Sequence, residues 1–171
     1  EQSWARGGGP VATDADGNRI GEFAYAILQD PKDFALVRLD PGVPASAQMC
    51  HFGGPTGTNS DLTNSPVVLE HFGNGVAIGS VLPARTHLAT SMPDPDHVFA
   101  DGLALPGDSG SGVISADGRA VGVLVTVGVH TGSIGLPTDA GFIGITRLAP
   151  QEARAEQVLG TALTLVTAPT L

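Results

Sequence analysis

Glycine, proline, asparagine and aspartate divide this sequence into short segments, and this punctuation limits what the chain can fold into. The 171 residues include 24 Gly and 13 Pro. Short apolar segments lie between these turn residues, which is the pattern of an all-β sandwich or barrel. Hydrophobic residues make up 42% of the chain, enough for a packed core. The sequence therefore predicts a folded, mainly β protein with many tight turns.

Several apolar segments are predicted as strands. They are Arg19–Leu28, Phe34–Leu39, Val67–His71, Gly75–Val81, Gly112–Ser115, Ala120–Val127 and Gly141–Thr146. Asn74-Gly75 is a hairpin signal, and two Asp-Gly turns, at 14–21 and 115–122, resemble each other because Asp-Gly supplies the positive φ of a hairpin. Convergent turn chemistry explains this likeness about as well as internal duplication, so both explanations stay open.

Only the end of the chain has helical periodicity. Pro150 suits a first helical position, and apolar residues then recur on one face, at Val158, Leu159, Ala162, Leu163 and Val166. Gly160 lies inside this stretch and costs a helix about 1 kcal/mol. We predict a terminal helix over residues 150–171.

The charge pattern excludes several classes of partner. The sequence has seventeen acidic and eight basic residues, and Lys32 is the only lysine. No basic stripe is therefore present to neutralise phosphates. The uncharged, mostly apolar stretch 120–138 is interrupted by glycine and proline, which suits buried strands and not a membrane helix. The histidines lack metalloprotease spacing, and the turn at Asp14 departs from the calcium-loop pattern. We expect no nucleic acid, membrane, metal or cofactor.

The segment that carries chemistry is residues 105–113, LPGDSGSGV. A serine between glycines, in a turn before an apolar strand, presents its hydroxyl clear of bulky neighbours. Gly107 and Gly110 allow backbone N–H groups to converge on one point, as an oxyanion hole requires. The Gly-x-Ser-x-Gly elbow of α/β-hydrolases is absent, because position 111 is serine.

This segment resembles the nucleophile signature of chymotrypsin-like serine proteases, and PGDSG resembles their bacterial, streptogrisin-like branch. Residues 33–39, DFALVRL, are similar to the family strand that begins with the triad aspartate. Residues 50–57, CHFGGPTG, are similar to the segment that opens the second barrel. A strand at 141–145 before a terminal helix completes the pattern, so the resemblance covers most of the chain from about Asp33 onward.

The resemblance implies a chymotrypsin-like double β-barrel. This chain would carry a remnant of the first barrel over residues 1–47, the second barrel over 48–149 and the terminal helix over 150–171. It also implies a secreted bacterial serine endopeptidase whose partner is a peptide or protein substrate.

The resemblance also assigns residue roles. Ser109 attacks the scissile carbonyl, and Asp33 orients the histidine that takes the serine proton. The amides of Gly107 and Ser109 hold the oxyanion, and Asp108 fixes this loop through a buried charge pair.

The substrate pocket follows from the same resemblance. Its base would come from residues 101–105, which include Leu103 and Ala104, and its wall from Thr126, Val127 and Gly128. Because Leu103 and Ala104 supply no buried charge, we expect an apolar or small preferred side chain and not Arg or Lys.

The histidine base is where the sequence departs from the family. None of the five histidines, which are His51, His71, His87, His97 and His130, precedes Asp33. We expect the base, and much of the first barrel, to lie in an N-terminal segment or second chain outside this sequence, and we expect this chain alone to be inactive. His51 or His71, combined with Asp61 or Asp101, is a less favoured alternative, because neither lies in a matching motif. Both are expected at surface or loop positions.

Cys50 is the single cysteine, so it has no partner for a disulfide within the sequence. The resemblance suggests a partner in the missing segment. A small buried hydrophobic residue is the other interpretation.

A noncatalytic module is the competing class of function. In that interpretation a protease-like fold has lost its histidine and binds a peptide or protein partner. Retention of Asp33, Gly107, Asp108 and Ser109 favours the enzyme.

Overall fold

The computed structural model describes residues 1–29, 32–59, 62, 67–73, 83–128 and 141–171. Within this part, the chain is mainly β, with a four-stranded sheet, a closed six-stranded barrel and a C-terminal helix. The all-β barrel prediction is confirmed at this level. Contacts divide the chain into two compact units. The first contains residues 1–46 and 151–164, and the second contains residues 47–150 and 165–171.

The first unit is built around one long strand. Its strands are β1 (Gln2–Ser3), β2 (Val11–Thr13), β3 (Arg19–Gln29) and β4 (Lys32–Leu39). β3 pairs antiparallel with the other three. Tyr25 is fully buried, and its hydroxyl donates to the Glu1 carboxylate at 2.9 Å. Burial, reinforced by Glu1, raises the pKa of Tyr25 to about 12.

The second unit is the barrel. Its strands are β5 (Val68–Phe72), β6 (Ala84–Asp94), β7 (His97–Asp101), β8 (Gly112–Ser115), β9 (Ala120–Gly128) and β10 (Phe142–Arg147). Around the barrel the order is β10-β7-β6-β5-β8-β9, every pairing is antiparallel, and β9 pairs with β10 to close the ring. The apolar core is formed by side chains such as Leu69, Val98, Leu124, Ile143 and Ile145, all fully buried.

Two barrel strands, β6 and β7, were not predicted from the sequence. They form a hairpin in which Leu88 pairs with Asp101 and Asp94 pairs with His97. The prolines around Asp94 suggest a loop, but Pro95 and Asp96 form only the turn between the two strands. The predicted strand Gly75–Val81 and the Asn74-Gly75 hairpin lie outside the described residues.

The terminal helix is shorter than predicted. Helix α1 (Leu148–Leu159) ends because Gly160 adopts a left-handed φ of +65°, a common helix C-terminus. The prediction of a helix over residues 150–171 is therefore wrong beyond Leu159. Residues 165–171 belong to the barrel unit, where the Ala168 amide donates to the Pro55 carbonyl at 2.8 Å. No helix in the described ranges is long and apolar enough to cross a membrane.

The two Asp-Gly turns are built in the same way. The Asp14 amide donates to the Asn18 carbonyl, and the Ser115 amide donates to the Arg119 carbonyl, both at 2.9 Å. The glycine of each turn has a positive φ, +84° at Gly17 and +81° at Gly118. Both turn predictions are confirmed, and local chemistry accounts for the shared hydrogen-bond pattern.

Candidate functional site

Ser109 lies exposed in the turn that leads from β7 to β8. The Asp108 amide donates to the Leu105 carbonyl at 2.9 Å, and the Ser111 amide donates back to the Asp108 carbonyl at 3.0 Å. The Gly110 amide donates to the Leu124 carbonyl of β9 at 2.8 Å. These three bonds fix the backbone on both sides of the serine.

The amides of Gly107 and Ser109 differ from their neighbours. Neither donates a hydrogen bond to any group in the described part of the chain, whereas the amides of Asp108, Gly110 and Ser111 all do. Both residues are exposed, so water can satisfy these N–H groups. Gly107 has a φ of +103°, a conformation that glycine adopts readily. Two amide donors are thus available next to the serine hydroxyl.

Asp108 is fully buried although it stands directly before the exposed serine. Its Oδ2 accepts a hydrogen bond from the Leu105 amide at 2.9 Å and from Nη1 of Arg85, which is also buried. A buried carboxylate is strongly unfavourable unless it is paired and hydrogen-bonded. The Arg85 pair therefore holds the Asp108 side chain, and with it the backbone of the serine turn, inside the barrel unit.

The barrel register brings the cluster together. His71 of β5 and Arg85 of β6 are direct cross-strand partners, and His87 follows Arg85 by two residues on the same buried face. Glycine makes the close approach possible: a Cβ at Gly73 would lie 2.2 Å from Oδ1 of Asp108. We call Asp108, Arg85, His71 and His87 the buried polar cluster.

The two histidines of this cluster contact each other. Nδ1 of His71 lies 2.6 Å from Nε2 of His87, the ring planes are 11° apart, and Nε2 of His71 lies 3.6 Å from Oδ2 of Asp108. Burial lowers the pKa of His71, although the Asp108 charge acts in the opposite direction. Burial, with further contributions from His71 and Arg85, lowers the pKa of His87 to about 4. Both rings are therefore neutral near pH 7.

The expectation that His71 occupies a surface or loop position is wrong, because this residue is fully buried on β5. His51, by contrast, is exposed, as expected. Nδ1 of His97 lies 3.2 Å from Oδ2 of Asp94 at the β6–β7 turn. Asp61 and His130 lie outside the described residues.

The other predicted site residues are distributed over both units. Asp33 is an exposed residue of β4 in the first unit, opposite Leu28 of β3. In the barrel unit, the side chain of Leu103 is 43% exposed, whereas Ala104 is buried in the apolar core. Three further residues lie in β9 opposite β10, namely Thr126, Val127 and Gly128. The side chains of Thr126 and Val127 lie outside the described part.

Cys50 is exposed, so its interpretation as a small buried hydrophobic residue is wrong. A disulfide with a partner outside the sequence stays a prediction. Among the described residues, no group of three or more His, Cys, Asp or Glu side chains is arranged to hold a metal ion.

Sequence reasoning found the serine turn and Asp108 but missed Arg85 and His87. The available signal was alternation, since residues 85, 87 and 89 all point inward from β6. Two of these three residues are polar, so the usual hydrophobic alternation of a strand is absent.

No protein-family model matches this sequence, and no curated protein matches it either. The assignment of function therefore depends on the sequence motifs and the geometry of the serine turn.

Proposed function

We propose that this chain is part of a secreted bacterial serine endopeptidase of the chymotrypsin-like, streptogrisin-like type, with Ser109 as the nucleophile. One observation carries the proposal. Ser109 is exposed, and two backbone amides, its own and that of Gly107, have no acceptor in the described part of the chain. Asp108, which lies between these two residues, is held by a buried ion pair with Arg85. An oxyanion hole needs such donors, fixed before the reaction begins.

The chemistry would proceed through an acyl-enzyme. The Ser109 Oγ bonds to the scissile carbonyl carbon, and its proton passes to an imidazole. The carbonyl oxygen takes the negative charge and is stabilised by the amides of Gly107 and Ser109. The C–N bond then breaks, the amine leaves with the proton from the imidazolium, and water hydrolyses the ester to regenerate the serine.

The imidazole in this proposal comes from outside the sequence given. Asp33 would orient it, and its exposed carboxylate on β4 is accessible for that purpose. His71 and His87 face each other and Asp108 inside the barrel unit. Because removal of one triad member lowers the rate by many orders of magnitude, the chain alone should react slowly.

The pocket proposal favours an apolar or small side chain before the scissile bond. Leu103 and Ala104 are uncharged, and the nearby His87 ring is neutral at pH 7 because burial lowers its pKa to about 4. Peptide substrates with Leu or Phe at this position should be cleaved faster than substrates with Arg. Faster cleavage of the Arg substrates would contradict the pocket proposal.

A fluorophosphonate probe tests the nucleophile directly. The chain should label slowly at Ser109, and added free imidazole should accelerate labelling because it supplies the missing base. Ser109→Ala should abolish labelling, whereas Ser111→Ala, which changes a serine in the same turn, should retain it. No labelling with imidazole, or labelling at Ser111, would overturn the proposal. Fast labelling without imidazole would show that a base is already present.

A noncatalytic peptide-binding module is the second candidate. The burial of His71 favours this candidate. His71 is the histidine of the buried polar cluster that lies next to Asp108, but its ring contacts Asp108 and His87 and is not exposed beside Ser109. Binding of a Leu- or Phe-containing peptide without turnover, by protein isolated intact from its source, would support this candidate. Turnover that is lost in Ser109→Ala would exclude it.

A further inference from the structure

The buried polar cluster contains two titratable side chains to which the proposed mechanism gives no role. His71 lies between Asp108 and His87, with one ring nitrogen directed at each. Both rings are buried, His71 at 0% exposure and His87 at 3%. Buried polar groups of this kind require a defined hydrogen-bond arrangement, because water cannot replace a missing partner.

The contacts select one arrangement of protons. A neutral imidazole has one N–H and one lone pair, and the 2.6 Å contact between Nδ1 of His71 and Nε2 of His87 needs one shared proton. If His71 donated through Nδ1, the lone pair on its Nε2 would face the negatively charged Asp108 carboxylate. If His87 donates instead, the Nε2–H of His71 points towards that carboxylate. The second arrangement is electrostatically favourable, since an N–H then faces each acceptor.

The far end of the network lies against the loop at residues 101–105. Nδ1 of His87 has no hydrogen-bond partner in the described part of the chain. A Cβ at Gly102 would lie only 1.9 Å from this nitrogen, so the Gly102 backbone packs directly on the ring. The network therefore extends from Asp108, next to the nucleophile, to the loop that precedes the serine turn.

We infer that His71 is a positioning residue for the serine turn. Its Nε2–H faces the Asp108 carboxylate across 3.6 Å, an electrostatic contact longer than a hydrogen bond, and His87 fixes its tautomer by donating to Nδ1. Arg85 supplies the countercharge of Asp108, whereas His71 fixes where the carboxylate lies. The relevance of this role to catalysis rests on the proposed function, but the role itself can be measured without catalysis.

The network works only while both rings are neutral. The charged and titratable groups that face them are Asp108 and Arg85, together with the other ring of the pair. A proton added to Nδ1 of His87 would have no acceptor in the described part and would lie near the positive Arg85. Neutrality is therefore maintained at ordinary pH by burial and by the nearby guanidinium.

Nitrogen-15 NMR of the histidine side chains tests the tautomers in the unmodified chain. Both His71 and His87 should be neutral Nε2–H tautomers at pH 7, because burial lowers the pKa of each ring below its ordinary value of 6.5. An Nδ1–H tautomer at His71, or a charged His71 ring at pH 7, would overturn the inference.

Amide hydrogen exchange tests the positioning role. In His71→Leu, the amides of Asp108, Gly110 and Ser111 should exchange about tenfold faster than in the wild type, relative to the β10 amides of Ile143 and Ile145. His71→Gln keeps one donor and one acceptor and should restore most of the protection. His97→Gln, the same substitution in the same barrel, should change nothing at the turn. Unchanged turn exchange in His71→Leu would overturn the inference.

Labelling with the fluorophosphonate probe separates this inference from the proposed function. With added imidazole, His71→Leu should slow Ser109 labelling about tenfold, and His71→Gln should recover it. If Ser109 never labels but the NMR and exchange results hold, the protease proposal fails and the positioning of the turn stands. If Ser109 labels and the exchange is unaffected, the inference about His71 fails alone.

Discussion

Two arginine–carboxylate pairs in this protein have similar chemistry and very different surroundings. In the open sheet of the first unit, Nε of Arg19 lies 2.7 Å from Oδ2 of Asp40, with side chains 47% and 36% exposed. In the barrel, the Arg85 and Asp108 side chains are 5% and 0% exposed. Water screens the first pair, whereas the second has to satisfy both charges without it. The comparison indicates that burial, and not the contact itself, makes an ion pair structurally decisive.

The two architectures explain the difference. The first-unit sheet leaves apolar side chains such as Val11, Leu28 and Val37 exposed, so groups on its surface stay near water. The barrel closes through β9 and β10, and its interior excludes solvent from inward-facing residues. A charge on that inner face is therefore fixed by its partners.

The largest expected difference in stability between the two ion pairs comes from replacing Arg85 or Arg19. Arg85→Met should lower the free energy of unfolding by about 3–5 kcal/mol, because the buried Asp108 carboxylate would lose the charge of Arg85. Arg19→Met, the matched change in the open sheet, should leave the urea midpoint unchanged within error. Urea unfolding followed by circular dichroism measures both, and equal losses would contradict the distinction. Adding Asp108→Asn to Arg85→Met should recover part of the stability.

Lowering the pH should give the next largest change in the free energy of unfolding. The pKa of His87 is about 4 in the folded chain, against an ordinary value of 6.5, and burial is the largest cause of the difference. Between these values the unfolded chain binds more protons, so the free energy of unfolding should fall as pH falls from about 6.5 to 4, by about 3 kcal/mol for this group. Asp40 behaves differently. Its pKa is lowered from 3.8 by Arg19, so its contribution is lost only at lower pH.

Urea titrations at several pH values check the acid prediction. His87→Leu should flatten the loss between pH 6.5 and 4, whereas His97→Gln should retain it. An equally steep loss in His87→Leu would assign the effect to other groups.

The smallest expected effect comes from the packing of His87. In Gly102→Ala the new Cβ would lie 1.9 Å from the ring, and the displacement should cost about 1–3 kcal/mol. Gly57→Ala is the control in the same unit, because nothing lies within 4 Å of its added Cβ. Thermal unfolding of the two variants should differ in midpoint. Equal midpoints would show that the ring moves aside without loss.

Most strands with apolar alternation could be predicted from the sequence. β8 occupies the predicted residues, and β3, β4 and β9 differ from the prediction by a few residues at their ends. β6 was not predicted, because its inward-facing residues include Arg85 and His87 and so lack the apolar alternation of a strand. The helix was predicted too long because apolar spacing continues past Gly160, whereas the left-handed conformation of this glycine ends it.

The site was predictable only in its local part. Glycines near Ser109 indicate the turn, and the resemblance of residues 107–110 to the protease signature predicted that Asp108 fixes this loop. Its partner Arg85 stands 23 residues away, and the contacting histidines are 16 residues apart. No local pattern encodes such contacts, because they arise from the pairing of β5 with β6 and the closure of the barrel.

The sequence by itself determined the mainly β content, the Asp-Gly turns and the glycine-flanked serine, since each depends on backbone preferences within a few residues. Tertiary structure alone decided that Arg85 neutralises Asp108, that His71 and His87 are buried and neutral, and that the tail returns to the barrel unit. These outcomes depend on strand register and on the exclusion of water from a closed barrel. Both are properties of the assembled chain, because they bring together groups far apart in sequence and set the dielectric around them.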